Sequence, residues 1–283
     1  MIEIKNLDFG YKKNRLVLTG INLQMREGRI YGLLGKNGVG KSTLEYLIAG
    51  LQFPNNGTVT IDEMVAQKRE VKLLQNIFLL GEEVPETNLT IETFKNLNAK
   101  FYPNFSDEDF KNFLTEFEIT DIKQKIDKLS FGTKKKVFIA FALACNTKYL
   151  LMDEPTNGLD IPSKASFRKL LRLAMTDDKV VIISTHQARD LQNILDSIII
   201  LDDKNLLLNA TDSEITEKLF FGMMTDDDNK EDILYSESTV AGTQIVRLNK
   251  NNEQSNLDVE LLFNAAFTSK DKFKSTFNNS LVL

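Results

Sequence analysis

The sequence predicts an α/β fold with a mainly parallel central sheet, and three observations support this prediction. A glycine-rich stretch, 35–42, lies between an apolar strand at 30–34 and a helical run at 42–49. A second apolar run, 149–152, ends in two carboxylates, and a third leads to His186, the single histidine of the chain. Strands that alternate with helices, with polar residues at the carboxyl ends of the strands, are typical of open sheets that bind ligands at that edge.

The stretch 35–42 has the sequence Gly-Lys-Asn-Gly-Val-Gly-Lys-Ser and matches the phosphate-loop pattern G-x-x-x-x-G-K-[ST] in full. Its glycines allow successive backbone N–H groups to face a phosphate, and the following helix directs the positive end of its dipole at the same anion. We predict that Lys41 contacts the β- and γ-phosphates of a nucleotide and that the Ser42 hydroxyl binds Mg²⁺. The alternative, a glycine-rich turn with a chance lysine, would not require the flanking strand and helix. The residues expected to surround the phosphates are Gly35, Asn37, Gly38, Gly40, Lys41, Ser42 and Thr43.

The acids at the end of the run 149–152 are Asp153 and Glu154. A central parallel strand delivers its last residue to the carboxyl edge of the sheet, so Asp153 is expected beside the Mg²⁺ that Ser42 holds. Glu154 points to the other side of the strand and is expected to polarise the water that attacks the γ-phosphate. Adjacent acids usually mark a solvated strand end, but the complete phosphate loop favours the catalytic interpretation.

A third motif, which we call the signature, is Leu129-Ser130-Phe131-Gly132-Thr133-Lys134. It lies at the start of a helix that precedes the apolar run 149–152. On its own, Leu-Ser-x-Gly is an ordinary helix start. Here it follows the phosphate loop and precedes the strand that ends in two acids. With the motifs in this order, residues 1–210 closely resemble the ATP-binding cassette (ABC) family. The resemblance implies a head-to-tail dimer of two cassettes, identical or different, in which Ser130 and Gly132 contact the γ-phosphate of ATP held by the other protomer.

Three further residues match the family. Asp160 resembles the last residue of the loop that passes between protomers. His186 matches the switch histidine, which is implied to bridge the γ-phosphate and the attacking water. Tyr11 occupies the place of the aromatic residue that stacks on adenine, although an exposed tyrosine near a turn is also common. The resemblance thus implies that Lys41, Glu154 and His186 act in the hydrolysis of ATP.

The sequence departs from the family in two places. After the strand 77–80 the family places a glutamine that contacts Mg²⁺, whereas this chain has Gly81-Glu82-Glu83. Glu82 offers an anionic oxygen that Mg²⁺ accepts as a ligand, and a role as a solvated loop acid stays open. In the signature, Phe131 and Thr133 stand where many members have glycine and glutamine.

Residues 1–210 are predicted to form the cassette. Strands within 2–23 and at 58–62, with turn signals at Lys13-Asn14 and at 55–57, predict an antiparallel sheet beside the nucleotide core.

A helical subdomain is predicted at about 89–135 within the cassette. Ser106 followed by Asp109 resembles a capping box at the start of a helix. A stripe at helical spacing is expected to face the core, and it consists of Phe110, Phe113, Leu114 and Phe117.

The C-terminal part is predicted to form a linker at 211–231 and a small α+β appendix at 232–283. A short helix is expected from Thr211 to Phe221, a strand at 244–248 and a helix at 257–267. The appendix resembles those of cassettes in the type-2 exporter branch.

Composition restricts the class of protein and its surroundings. The chain has 283 residues, of which 42% are hydrophobic and 27% charged, as in ordinary globular proteins. No apolar run approaches the roughly 18 residues of a membrane span, and the longest, 137–145, is expected to be a buried helix. A start without a signal-peptide pattern and a single cysteine, Cys145, fit a reducing cytoplasm. The net charge of −5 argues against nucleic acid as the main ligand.

With the motifs, the family resemblance implies the ATP-binding and ATP-hydrolysing subunit of a transporter, more specifically an exporter, with Mg²⁺ as its metal. The transmembrane permease is expected on a separate chain, with this subunit peripheral on the cytoplasmic face. One alternative is a soluble ATPase of the same family that acts on nucleic acid or ribosomes. Another is a small-molecule phosphoryl transferase, which would leave the signature, Glu154 and His186 without a shared purpose.

Overall fold

The computed structural model describes residues 1–12 and 15–277, so the predicted turn at Lys13-Asn14 and the end of the predicted appendix, 278–283, lie outside the described residues. The strands are β1 (Ile2–Phe9), β2 (Leu18–Met25), β3 (Arg29–Leu34), β4 (Asn56–Ile61), β5 (Met64–Val65), β6 (Ile77–Leu80), β7 (Tyr149–Asp153), β8 (Val180–Thr185), β9 (Ser197–Asp202), β10 (Asn205–Thr211), β11 (Leu219–Met223), β12 (Ile233–Thr239) and β13 (Gly242–Leu248). The helices are α1 (Lys41–Ile48), α2 (Val71–Leu74), α3 (Ile91–Asn98), α4 (Asp107–Glu116), α5 (Phe131–Ala144), α6 (Ile161–Ala174), α7 (Asp212–Lys218), α8 (Val259–Thr268) and α9 (Lys270–Phe277).

The central sheet has the strand order β10-β9-β3-β8-β7-β6. Its strands pair in parallel, except that β10 pairs antiparallel with β9 at one edge. A parallel sheet is covered on both faces, which is why every residue of β7 and β8 is buried. The predicted α/β fold with a mainly parallel sheet is confirmed. Because β3, β7 and β8 are parallel neighbours or next neighbours, their carboxyl ends lie at one edge.

An antiparallel sheet of order β2-β1-β4-β5 lies beside this core, as predicted. In β1 the pairing with β2 shifts after Ile4, which moves the next buried position to Leu7. The apolar side chains of β1 belong to the same buried cluster as Leu44 and Leu47 of α1. The helix that follows the phosphate loop is therefore anchored by core packing.

The helices α3 and α4 and the first turn of α5 occupy the region predicted to be helical. Ser106 is the N-cap of α4, and its hydroxyl accepts from the backbone N–H of Asp109 at 3.1 Å. The predicted core stripe of α4 is buried and consists of Phe110, Phe113, Leu114 and Phe117.

The apolar run 137–145 is buried in α5 and at its C-cap, as predicted, and Cys145 lies there as a buried free thiol whose pKa burial raises. None of the helices within residues 1–12 and 15–277 combines the length and apolar character needed to cross a bilayer.

Within the predicted linker at 211–231, the expected short helix is present as α7, but the residues after it form a strand rather than a linker. Thr211 and Glu214 form a capping box that starts α7, and the helix ends at Lys218 rather than at Phe221. The residues that follow form β11, which pairs antiparallel with β13 in a sheet of order β11-β13-β12. The small C-terminal unit therefore begins at β11, inside the range predicted as a linker.

Helix α8 connects this C-terminal unit to the cassette. The side-chain amide of Gln192 donates to Leu257 O at 2.5 Å and accepts from Val259 N at 3.2 Å. At the other end of the helix, Lys36 Nζ lies 4.9 Å from the ring centre of Phe267. The unit thus contacts both the phosphate loop and the segment that follows β8.

Candidate nucleotide site

The phosphate loop, 35–42, connects the end of β3 to α1. Its backbone is left-handed at Gly38 and Gly40, with φ of 77° and 112°, a conformation that residues with a side chain rarely adopt. A Cβ at Gly40 would also lie 2.9 Å from Leu18 Cδ2. Lys41 is buried, and its Nζ donates to Gly35 O at 2.8 Å. The lysine charge therefore lies against the loop that is predicted to hold phosphates.

The two acids at the end of β7 have different partners on β8 and just after it. Asp153 Oδ1 accepts from Ser184 Oγ at 2.5 Å. Glu154 Oε2 accepts from Thr185 Oγ1 at 3.0 Å, and its Oε1 accepts from the backbone N–H of His186 at 2.9 Å. The same oxygen lies 2.7 Å from His186 Nδ1. Glu154 and His186 therefore form a direct pair, held by both the backbone and the imidazole ring.

A cavity of about 350 Å³ lies between the phosphate loop and these acids. Gly35 and His186 do not line the cavity, but each contacts a residue that does: Gly35 O accepts from Lys41, and His186 Nδ1 lies against Glu154. The residues that line it are Tyr11, Val17, Asn37, Gly38, Gly40, Lys41, Ser42, Thr43, Glu82, Asp153 and Glu154. The structure thus brings together most of the residues predicted to act within one protomer.

Tyr11 lies at this cavity with 59% of its surface exposed. Its hydroxyl is 3.1 Å from Thr43 Oγ1, and its ring packs edge-on against Phe9 at 5.0 Å between ring centres. The ring is therefore oriented by two contacts and still leaves area for stacking.

A larger cleft of about 790 Å³ lies between α7 and the residues after β13. It is lined by Ser213, Thr216, Glu217, Asn249, Asn252, Glu253, Gln254, Ser255 and Asn256. No lysine or arginine is among these lining residues, so the cleft lacks the cation that binding of a triphosphate requires.

Two buried lysines balance the carboxylates of the cavity. Burial lowers the pKa of Lys41 and of Lys135, and the nearby carboxylates of Asp153 and Glu154 oppose this shift. Lys135, on α5, is fully buried, and its Nζ donates to the backbone oxygen of Glu82 at 2.6 Å. The loop that replaces the family's glutamine is therefore attached to the helix that begins in the signature.

The oxygen donors of the cavity suit Mg²⁺. The Ser42 hydroxyl and the carboxylates of Asp153 and Glu82 line it. In the part of the chain that the structure describes, no group of three or more His, Cys, Asp or Glu side chains could hold a metal ion. Mg²⁺ is commonly held by one or two carboxylates together with phosphates and water, so these residues fit a metal shared with a nucleotide. Glu82 Oε1 also accepts from Asn157 Nδ2 at 3.1 Å, and its metal role stays a prediction.

Ser130, Gly132 and Asp160 do not line this cavity. Ser130 is the exposed N-cap of α5 and accepts from Thr133 N, while Asp160 caps α6 by accepting from Ser163 N. A Cβ at Gly132 would lie 2.9 Å from Gly158 O, so the signature packs closely against the loop before α6. The structure does not bring these three residues to the nucleotide cavity of their own protomer.

Two residues near the site were missed in the sequence. Glu45 and Lys135 are both fully buried, although both carry ionisable groups. The helical period could have located them, because position 45 shares a face with 41 and 48, and position 135 shares one with 139 and 142.

Comparisons with known proteins agree with this geometry. A family model described as ABC transporter matches residues 18–157. The ABC transporter ATP-binding protein YtrB of Bacillus subtilis is 30% identical over 214 residues, which cover 75% of this chain and 72% of YtrB. The zinc uptake system ATP-binding protein ZnuC of the same organism is 30% identical over 71% of this chain and 91% of ZnuC. The lantibiotic transport ATP-binding protein SrtF of Streptococcus pyogenes is 29% identical over 78% of this chain and 96% of SrtF.

Among solved structures, the dimeric post-hydrolysis state of the ATP-binding cassette MJ0796, bound to ADP and Pi, matches with a TM-score of 0.66. The identity is 28%, over 75% of this chain and 98% of that one. The chain belongs to the ABC transporter family as an ATP-binding subunit. It is an ATPase, as the motifs predicted.

Proposed function

We propose that this chain hydrolyses ATP to power export through a membrane-spanning subunit on a separate chain, at the cytoplasmic face of the membrane. The observation that carries the proposal is that one cavity is lined by the phosphate loop, Asp153 and Glu154, and that Glu154 is paired with His186. The relatives named above are ATP-binding components of transport systems, which supports the coupling to transport. The small α+β appendix supports the exporter branch.

The phosphates of ATP are held by Lys41 and by the backbone N–H groups of the phosphate loop. Ser42 and Asp153 would hold Mg²⁺, with Glu82 as a further candidate ligand. When bound, Mg²⁺ neutralises charge that develops on the phosphate oxygens. A buried lysine in a cavity lined by protein interacts with these oxygens more strongly than an exposed one would.

Glu154 and His186 act on the attacking water. Glu154 is 5% exposed, and a shielded carboxylate is well placed to accept a proton from water bound in the cavity. Its contact with His186 Nδ1 fixes the orientation of the imidazole. The ring then orients the water and the γ-phosphate relative to each other.

Ser130, Gly132 and Asp160 complete the site from the opposite protomer. Their position outside the cavity of their own chain supports this arrangement, as does the dimeric state of MJ0796. Ser130 lies at the N-terminus of a helix of 14 residues, where free N–H groups favour an anion.

We expect Tyr11→Ala to weaken ATP binding by about 5- to 150-fold, because stacking of a base on an aromatic ring contributes about 1–3 kcal/mol. Tyr11→Phe keeps the ring and loses only the contact with Thr43, so it should bind ATP almost normally. Calorimetric titration measures both variants. Inorganic tripolyphosphate, which has no base, should bind equally to all forms, and a parallel loss of its binding would contradict a stacking role.

The transport proposal is tested by capturing the tagged Glu154→Gln variant from its native membranes in mild detergent with ATP present. We expect a membrane protein with several spans to remain bound. The matched control is Lys41→Ala, which should lose nucleotide-dependent retention. Recovery of ribosomal or other nucleic-acid-binding partners alone would overturn the transport proposal and support the soluble ATPase.

A further inference from the structure

Glu45 is an ionisable residue next to the site for which the mechanism above has no use. It lies on α1, three residues after Ser42, and is fully buried. Its Oε1 has no hydrogen-bond partner, whereas its Oε2 lies 3.3 Å from Ser184 Oγ. Buried polar atoms without a partner are rare in folded proteins and reduce stability. A carboxyl group at such a position departs from the usual rule for buried polar groups, and departures of this kind are expected at functional sites.

Ser184 connects Glu45 to Asp153. The hydroxyl of Ser184 is 2.5 Å from Asp153 Oδ1 and 3.3 Å from Glu45 Oε2. A hydroxyl has one hydrogen, and the shorter contact assigns it to Asp153. The contact between Glu45 and Ser184 is then a hydrogen bond if Glu45 itself carries the proton. Burial, with the nearby Asp153 carboxylate, raises the pKa of Glu45 well above its usual value, in agreement with a neutral carboxyl group.

We propose that Glu45 is a positioning residue for Asp153, acting through Ser184. In this chain of contacts Glu45 donates to Ser184, and Ser184 donates to Asp153, so the carboxylate is fixed by two residues that do not line the cavity. Hydrogen bonds of this kind orient metal ligands, and their loss commonly lowers metal affinity by about 10- to 100-fold. The inference rests on the proposed function, because it takes Asp153 as a ligand of Mg²⁺.

Three substitutions test this chain of contacts. Glu45→Leu removes the polar group, and Ser184→Ala removes the connection. Glu45→Gln keeps a neutral side chain with an N–H that can donate to Ser184. A control, Ile61→Val, shortens a buried side chain of β4 away from the cavity.

The measurements are the Mg²⁺ concentration for half-maximal ATPase activity, Mn²⁺ binding to the ATP-loaded protein by electron paramagnetic resonance, and the melting temperature in EDTA. We expect Glu45→Leu and Ser184→Ala to require about 10- to 100-fold more metal in both metal assays. Their double variant should show no larger effect than either alone, because both break one path. Glu45→Gln should stay close to the unmodified protein. Glu45→Leu should melt no lower than the unmodified protein, whereas Ile61→Val should melt lower with an unchanged metal requirement.

An unchanged metal requirement in Glu45→Leu would overturn the inference, as would an equal defect in Glu45→Gln. Asp153→Asn separates this failure from failure of the proposed function. If Asp153→Asn leaves Mn²⁺ binding intact, the metal role of Asp153 is wrong. If it abolishes Mn²⁺ binding while Glu45→Leu does not alter it, only the positioning role is wrong.

Discussion

Glu154→Gln is expected to reduce the turnover of ATP by about 10²- to 10⁴-fold, the range for loss of a general base. Glutamine has nearly the same shape, so its amide oxygen can still accept from the backbone N–H of His186, while its NH2 group can donate to the hydroxyl oxygen of Thr185. It cannot accept a proton from the attacking water at neutral pH. ATP should therefore bind normally, remain unhydrolysed and hold two protomers together for longer.

Single-turnover hydrolysis and light scattering after size exclusion measure these two effects. Glu83→Gln is the matched control, because Glu83 is an exposed acid close in the sequence to the cavity residue Glu82. The control should hydrolyse ATP at the normal rate. Turnover retained in Glu154→Gln would remove Glu154 from the role of the base.

His186→Ala is expected to reduce turnover by about 100-fold while ATP affinity changes little. The backbone N–H of His186 and the hydroxyl of Thr185 still donate to Glu154 after the substitution, so the carboxylate keeps two of its three contacts. What is lost is the imidazole, which lies 2.7 Å from Glu154 through Nδ1. Since the ring acts on the water rather than on the bound nucleotide, the effect should fall on kcat.

The test measures kcat and the dissociation constant of ATP separately. Arg189→Ala is the control from the same segment, because Arg189 is exposed and forms an ion pair with Glu260 in the appendix. Exposed ion pairs contribute little, so this control should behave normally. If His186→Ala lost ATP binding with normal turnover at saturation, the histidine would be structural.

The local parts of the site could be predicted from the sequence. The phosphate loop depends on one stretch of glycines between a strand and a helix, and the strand-ending acids follow from one apolar run. Period-3.6 spacing likewise located the core stripe of α4. In each case the residues that determine the structure are close together in the chain.

Features that depend on distant pairing could not be predicted in this way. Glu45 meets Ser184 across 139 positions of sequence, and only the packing of α1 on the sheet joins them. The sequence predicts a helix end and a linker where β11 lies, because the strand that pairs with it, β13, comes more than twenty residues later. The short apolar segment 219–221 suits a helix or a strand until that partner is known.

The role of the signature residues cannot be tested in the structure of one protomer alone. Ser130 and Gly132 were predicted from the family resemblance to contact ATP, and neither lines the cavity of its own protomer. Their role depends on a second copy or a related chain, so it stays a prediction.

A crystal structure of the Glu154→Gln variant, determined with ATP and Mg²⁺, would test most directly the claim that two protomers enclose ATP between Lys41 and Ser130. We predict two protomers head to tail, each ATP lying between Lys41 of one protomer and Ser130 of the other. Mg²⁺ should contact Ser42 and Asp153 in each site. ATP bound in the cavity without any contact from a second protomer, or bound away from Lys41, would contradict the account.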